Sequence, residues 1–135
     1  MTAAAALAAA AGIAAALTFA LAGGAESAAA RGYGTLAQVQ VKDNAFTPTK
    51  VDIRRGERVN WRSFGNGIPG GSTTNAHNVW VTKLPKSLKR KKSKFRLGIP
   101  STELNWTKRF TVAGRYTFIC VPHRDTMRMR VVVSK

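Results

Sequence analysis

Cys120-Val121-Pro122-His123-Arg124-Asp125-Thr126-Met127 brings a thiol, an imidazole and a thioether into one short stretch of a 135-residue chain. These are soft and borderline donors, which favour copper over hard cations. Cys120 is the only cysteine, His77 and His123 are the only histidines, and Met127 and Met129 are the only methionines after the initiator. Nearly every side chain able to bind a soft metal therefore lies in this stretch or at His77.

The flanking residues say what carries the stretch. Before it, Arg115–Cys120 alternates in the manner of a strand, with Tyr116, Phe118 and Cys120 on one face, so the thiol points inward at a strand end. After it, Met129, Val131 and Val133 alternate with Arg130 and Val132 as a closing strand. Working outward, Gln38–Val41, Lys50–Arg54, Val59–Arg62, His77–Val81 and Leu104–Thr111 read as further strands, separated by Gly, Pro, Asn and Asp turns. Val59 and Trp61 are expected on one face, as are Val51 and Ile53. No amphipathic helix is apparent. Roughly seven short strands with turn signals between them predict an all-β sandwich or barrel. Gly65–Asn75 reads as a loop that delivers His77 to a loop-to-strand junction.

Two imidazoles, a thiolate and a weak axial thioether are the donors of a blue-copper centre. In that arrangement Cys120, His77 and His123 are the in-plane ligands and Met127 the long axial one. Met129 is the alternative axial donor, although its alternation with Val131 and Val133 assigns it to the core. Zinc on the cysteine and both histidines is the chemical rival. Taken singly, Cys120 reads as a small buried hydrophobe and His77 as a hydrogen-bonded loop residue; only the conjunction points to a metal.

The chain also resembles the cupredoxins, in particular the plastocyanin, pseudoazurin, amicyanin and halocyanin group. The resemblance spans about residues 36–135, the size of one small domain. It is carried by Asp43-Asn44-Ala45-Phe46-Thr47-Pro48, Gly56-Glu57-Arg58-Val59-Asn60-Trp61, His77-Asn78-Val79, Gly114–Cys120 and the Cys120-Val121-Pro122-His123 motif. It implies a Greek-key β-sandwich holding one type 1 copper ion near one end. It further implies that Asn78 ties the His77 segment to the Cys120 loop, that Pro122 removes a backbone donor near the sulfur, and that His123 is the electron port. The implied function is electron exchange between redox partners through Cu(I) and Cu(II). Copper storage or delivery is the alternative, as is a cationic envelope-binding module on the same fold. An enzyme is not expected, because multicopper chemistry needs more histidines than this chain has.

Residues 1–30 are almost entirely Ala, Leu and Gly, with Glu26 their only charge, and read as an export segment. The apolar run from Ala3 to Ala22 has the length of a membrane span, so both a cleaved signal peptide and an uncleaved anchor are open. Small residues at Ala20-Leu21-Ala22 and Ala28-Ala29-Ala30 suit cleavage. Residues 31–35 form a linker, and 36–135 the copper-binding domain. The expected location is periplasmic, secreted or anchored outside the cytoplasm.

Lys and Arg number 22 against 6 Asp and Glu, giving a formal charge of +16. Such a field attracts anionic partners. The expected partners are redox proteins, acidic ones included, and anionic envelope polymers or a membrane surface; no nucleic acid is expected, and the protein is expected to be a monomer. Eight of the cations lie in residues 83–96, including Lys89, Arg90, Lys91 and Lys92, a candidate docking run. By charge alone the run reads as a solvated loop without regular structure, with Leu84, Leu88, Phe95 and Leu97 as attachment points.

Overall fold

A computed structural model describes residues 35–135 of the chain. The export segment and most of the linker lie outside the described residues. Ten strands form two five-stranded sheets: β1 (Leu36–Lys42), β2 (Ala45–Thr47), β3 (Lys50–Arg54), β4 (Arg58–Gly65), β5 (Ile68–Pro69), β6 (His77–Lys83), β7 (Arg96–Ser101), β8 (Asn105–Arg109), β9 (Gly114–Ile119) and β10 (Arg128–Ser134). One sheet runs β2-β1-β4, with β8 and β5 both paired to β4; the other runs β3-β10-β9-β6-β7.

The alternation read from the sequence is realised in the packing. Val39, Val41, Val51, Ile53, Val59, Trp61, Tyr116, Phe118, Met129, Val131 and Val133 are all buried between the sheets. Trp61 is the hub, its ring 5.0 Å from those of both Trp106 and Phe118. Its indole N–H donates to the Met129 sulfur at 3.0 Å, which satisfies a buried donor and places that methionine in the core. Asn60, on the other face of β4 and also buried, donates from its amide to the Asn105 side chain and to Thr107 Oγ1.

Strand direction fixes the two ends of the sandwich. β6 starts at His77, and β9 runs antiparallel to it and finishes at Ile119, beside Cys120. β1 is parallel to β4 and β3 is parallel to β10. One end therefore holds His77, Cys120 and the end of β1, while the other holds the starts of β1, β4 and β9 and the end of β10.

Two expectations need correction. The Gly65–Asn75 loop contains β5, a short arm folded back on the end of β4. The basic stretch is not an irregular loop: Lys86–Phe95 forms a 3-10 segment with a kink at Lys91, followed directly by β7. A 3-10 run of this length is unusual, and here it consists of two short pieces joined at the kink. Packing supplies what propensity does not. Leu88 and Phe95 are buried, and the Phe95 ring lies 5.5 Å from Tyr116 and 6.0 Å from Phe110. All six cations of the segment remain exposed. At its entry Pro85 presses on Gly114, whose φ is +140° and where a Cβ would come within 2.6 Å of the proline ring, so only glycine fits.

Candidate metal centre

Three elements converge at one end of the sandwich. β6 presents His77 at its first residue, β9 delivers Cys120 just past its last, and the loop from Cys120 to β10 turns back on itself. Hydrogen bonds close that loop. The His123 amide donates to the Cys120 carbonyl at 3.2 Å and the Met127 amide to the His123 carbonyl at 2.8 Å. The Cys120 amide in turn donates to the Met127 carbonyl at 3.1 Å. Met127 is thereby fastened to both Cys120 and His123, and its side chain is fully buried.

Cys120 Sγ lies 3.7 Å from His77 Nδ1 and 3.5 Å from His123 Nδ1. Ligand atoms of the three residues all fall within 4.8 Å of one another. Two donors sharing one ion at ordinary metal–nitrogen and metal–sulfur lengths, in a trigonal plane, stand about 3.8 Å apart, so these separations fit a shared metal. The chemistry fits as well: a thiol and two imidazoles, with a buried thioether in the same loop, form a soft and borderline donor set. Cys120 and His77 are sealed from solvent, whereas His123 is half-exposed.

The sulfur and the His77 ring are held from behind. The Asn78 amide donates to Cys120 Sγ at 3.5 Å. The Asn78 side chain spans two segments: its Oδ1 accepts from the Val121 amide at 2.8 Å, and its Nδ2 donates to the Gly98 carbonyl at 3.1 Å. This is the tie between the His77 segment and the Cys120 loop that the resemblance implied. Pro122, lacking an N–H, is exposed beside His123.

Sequence reasoning missed Asp43. It sits where β1 ends, one of its oxygens 3.4 Å from His77 Nε2, and the carboxylate accepts from the Thr74 and Asn75 amides at 3.2 and 3.0 Å. The Asn75 amide is the main reason its pKa falls to about 2; the Thr74 bonds and His77 lower it further, against the opposing effect of desolvation. Burial pushes the His77 imidazole below its usual value, and Asp43 acts in the opposite direction. With Nδ1 toward the sulfur and Nε2 toward a carboxylate, the ring is oriented as metal-bound histidines usually are. The sequence signal was the Asp43-Asn44 turn, which looks the same whether or not a histidine packs against it.

The candidate docking run is not part of this cluster. Lys89, Arg90, Lys91 and Lys92 follow the far end of β6, about 20 Å from His77 at the usual strand rise. Around the cluster the surface is instead partly apolar: Ile99 is 81% exposed, and Pro100 and Pro122 line a depression with Trp80 and Ile119.

Solved structures repeat this fold at low identity. Plastocyanin from Dryopteris crassirhizoma superposes with a TM-score of 0.57 at 20% identity, over 73% of this chain and 100% of that one. Pseudoazurin from Methylobacterium extorquens AM1 gives 0.56 at 20%, over 75% and 76% of the two chains. Amicyanin from Paracoccus versutus gives 0.53 at 24%, over 73% and 81%. No curated protein matches the sequence. The model of the copper binding proteins, plastocyanin/azurin family, matches residues 34–134, essentially all of the described sandwich. The chain thus belongs to that family and is a cupredoxin.

Proposed function

We propose that this protein is a blue-copper electron carrier in which His77, Cys120, His123 and Met127 would hold the metal. The observation that carries the proposal is the convergence of Cys120 Sγ with both Nδ1 atoms in a largely sealed pocket. Copper bound there would supply a one-electron Cu(I)/Cu(II) couple, and this donor set suits both states. Related structures have been solved as oxidised plastocyanin and as amicyanin with Cu(I), in keeping with such cycling.

Each neighbouring residue has a task in this reading. Cys120 would hold the metal as its thiolate, and the Asn78 amide directs a weak hydrogen bond at the sulfur. The Asn78 side chain and the closed Cys120–Met127 loop hold the donors in place, so little reorganisation accompanies a change of charge. Asp43 fixes the His77 ring. His77, Met127 and Cys120 are shut away from water, which leaves the half-exposed His123 as the port. Exposed Ile99, Pro100 and Pro122 near that port offer a partner an apolar seat, while Arg124 and Asp125 add charge to it. Both histidines of the chain are used here, so a second histidine-rich copper site of the multicopper enzymes has no ligands to draw on. Residues 1–30 support a location outside the cytoplasm.

The test is to load the protein with copper and follow its reduction and reoxidation by small redox reagents in the presence of a chelator. Fast, reversible cycling with copper retained is expected. Slow cycling, with copper passing readily to the chelator, would replace electron transfer with copper delivery.

A further inference from the structure

We infer that the end of the sandwich opposite His123 is a docking face for an anionic phospholipid bilayer, which leaves the metal end turned toward the aqueous phase. The inference rests on how charge and chain direction are distributed over the fold, and it does not depend on what fills the metal site.

The 3-10 segment at that end exposes Lys86, Lys89, Arg90, Lys91, Lys92 and Lys94. Strand ends add to them: Arg54 and Arg55 where β3 stops, Lys83 where β6 stops, and Lys135 beyond β10. All four of these are exposed. Glu57 is the acid among them, but it is buried and accepts the Arg54 amide. Asp43 and Asp125 lie at the metal end, one beside His77 and the other in the Cys120–Met127 loop, and Asp52 is paired with Lys50. Arg124 and Arg128 are exposed at the metal end as well, but Asp43 and Asp125 lie there too, so the molecule is polarised, with the larger excess of cations at the end away from the port. A redox partner seated on those cations would be held about 20 Å from the ligands, too far to be served by the half-exposed histidine.

Chain direction supplies the second argument. β1 runs from Leu36 toward Asp43, and the Thr35 carbonyl accepts the Arg58 amide at the start of β4, so the polypeptide enters the fold at the cationic end. The 20 residues Ala3–Ala22, which carry no charge, precede that entry point. A span-length apolar stretch that precedes, in sequence, a domain whose chain enters beside a cluster of lysines and arginines is the combination that anionic membranes recognise. The shared ligand chemistry is the phosphate of the headgroup. A soluble envelope polyanion would account for the cations but not for the apolar stretch that precedes the domain in sequence.

The full-length protein, reconstituted into vesicles, is treated with an amine-acetylating reagent and each lysine's modification is read by mass spectrometry. On vesicles of phosphatidylcholine containing phosphatidylglycerol, Lys89, Lys91 and Lys92 are expected to lose reactivity roughly fivefold or more relative to phosphatidylcholine alone. Lys50, exposed at the metal-proximal end of β3, should react equally in both. The protection should vanish at about 0.5 M salt. In the K89Q/R90Q/K91Q/K92Q variant, Lys86 and Lys94 should lose their protection while the thermal midpoint stays near that of the wild type. Any of three results would overturn the inference: no protection on anionic vesicles, equal protection at Lys50, or stronger protection by a soluble polyanion such as polyphosphate than by the bilayer.

Discussion

Replacing Asn78 with alanine removes a side chain that bridges the His77 strand and the Cys120 loop. The residue is 2% exposed and makes two hydrogen bonds, one from the Val121 amide at 2.8 Å and one to the Gly98 carbonyl at 3.1 Å. The Gly98 carbonyl sits on an exposed residue and can turn to water, so that loss is limited to about 0.5–1 kcal/mol. The Val121 amide is partly buried and keeps no partner of similar quality, so it adds about 1–2 kcal/mol. The expected total is about 1.5–3 kcal/mol, which for a domain of this size lowers the thermal midpoint by about 6–24 °C. Urea unfolding of the metal-free protein measures the energy, and thermal melts check the shift. The Thr82→Ala variant serves as a control, because it loses a single longer bond of 3.3 Å to the Thr117 carbonyl away from the ligands, and should cost under about 1 kcal/mol. In the copper-loaded protein, Asn78→Ala should also broaden the visible band, since the loop that fixes the sulfur is no longer tied down. If Asn78→Ala costs no more than Thr82→Ala and leaves the spectrum unchanged, the bridge does not hold the site.

Met127→Leu should alter the copper spectrum and raise the rate of copper loss while preserving the fold; Met129→Leu should leave the spectrum in place but lower stability, because the Trp61 N–H loses its sulfur acceptor. Phe95→Ala empties the space against Phe110 and Tyr116 and should cost about 3 kcal/mol by denaturant unfolding, with proteolytic cutting appearing first within residues 86–95. Burial raises the Tyr116 hydroxyl pKa to about 12, so the unfolded chain loses this proton first as pH climbs above 10. Tyr116 therefore makes stability fall between pH 10 and 12, and Tyr116→Phe should flatten that part of the curve measured by denaturant midpoints.

Much of the site could be read before any fold was known, because the chain offers so few choices. With one cysteine and two histidines, the donors named themselves. The alternation of Tyr116, Phe118 and Cys120 aimed the sulfur inward without reference to neighbours. Other features depend on contacts distant in sequence. β1 pairs in parallel with β4, and β3 with β10, and no local pattern announces either pairing. β7 contains Gly98 and Pro100, which argue against a strand, and it is tolerated because it lies at the sheet edge. The 3-10 segment was hidden by its charges: burial of Leu88 and the packing of Phe95 on Phe110 and Tyr116 hold it. Asp43 escaped notice because an aspartate in a turn normally needs no further explanation.

The central claim is that Cys120 is a copper thiolate ligand, and Cu(II) titration of the protein followed in the visible spectrum tests it most directly. The structure predicts an intense thiolate-to-copper band that saturates at one equivalent and disappears in Cys120→Ser. A titration of wild type that yields no such band, or a band that survives the serine substitution, would contradict it.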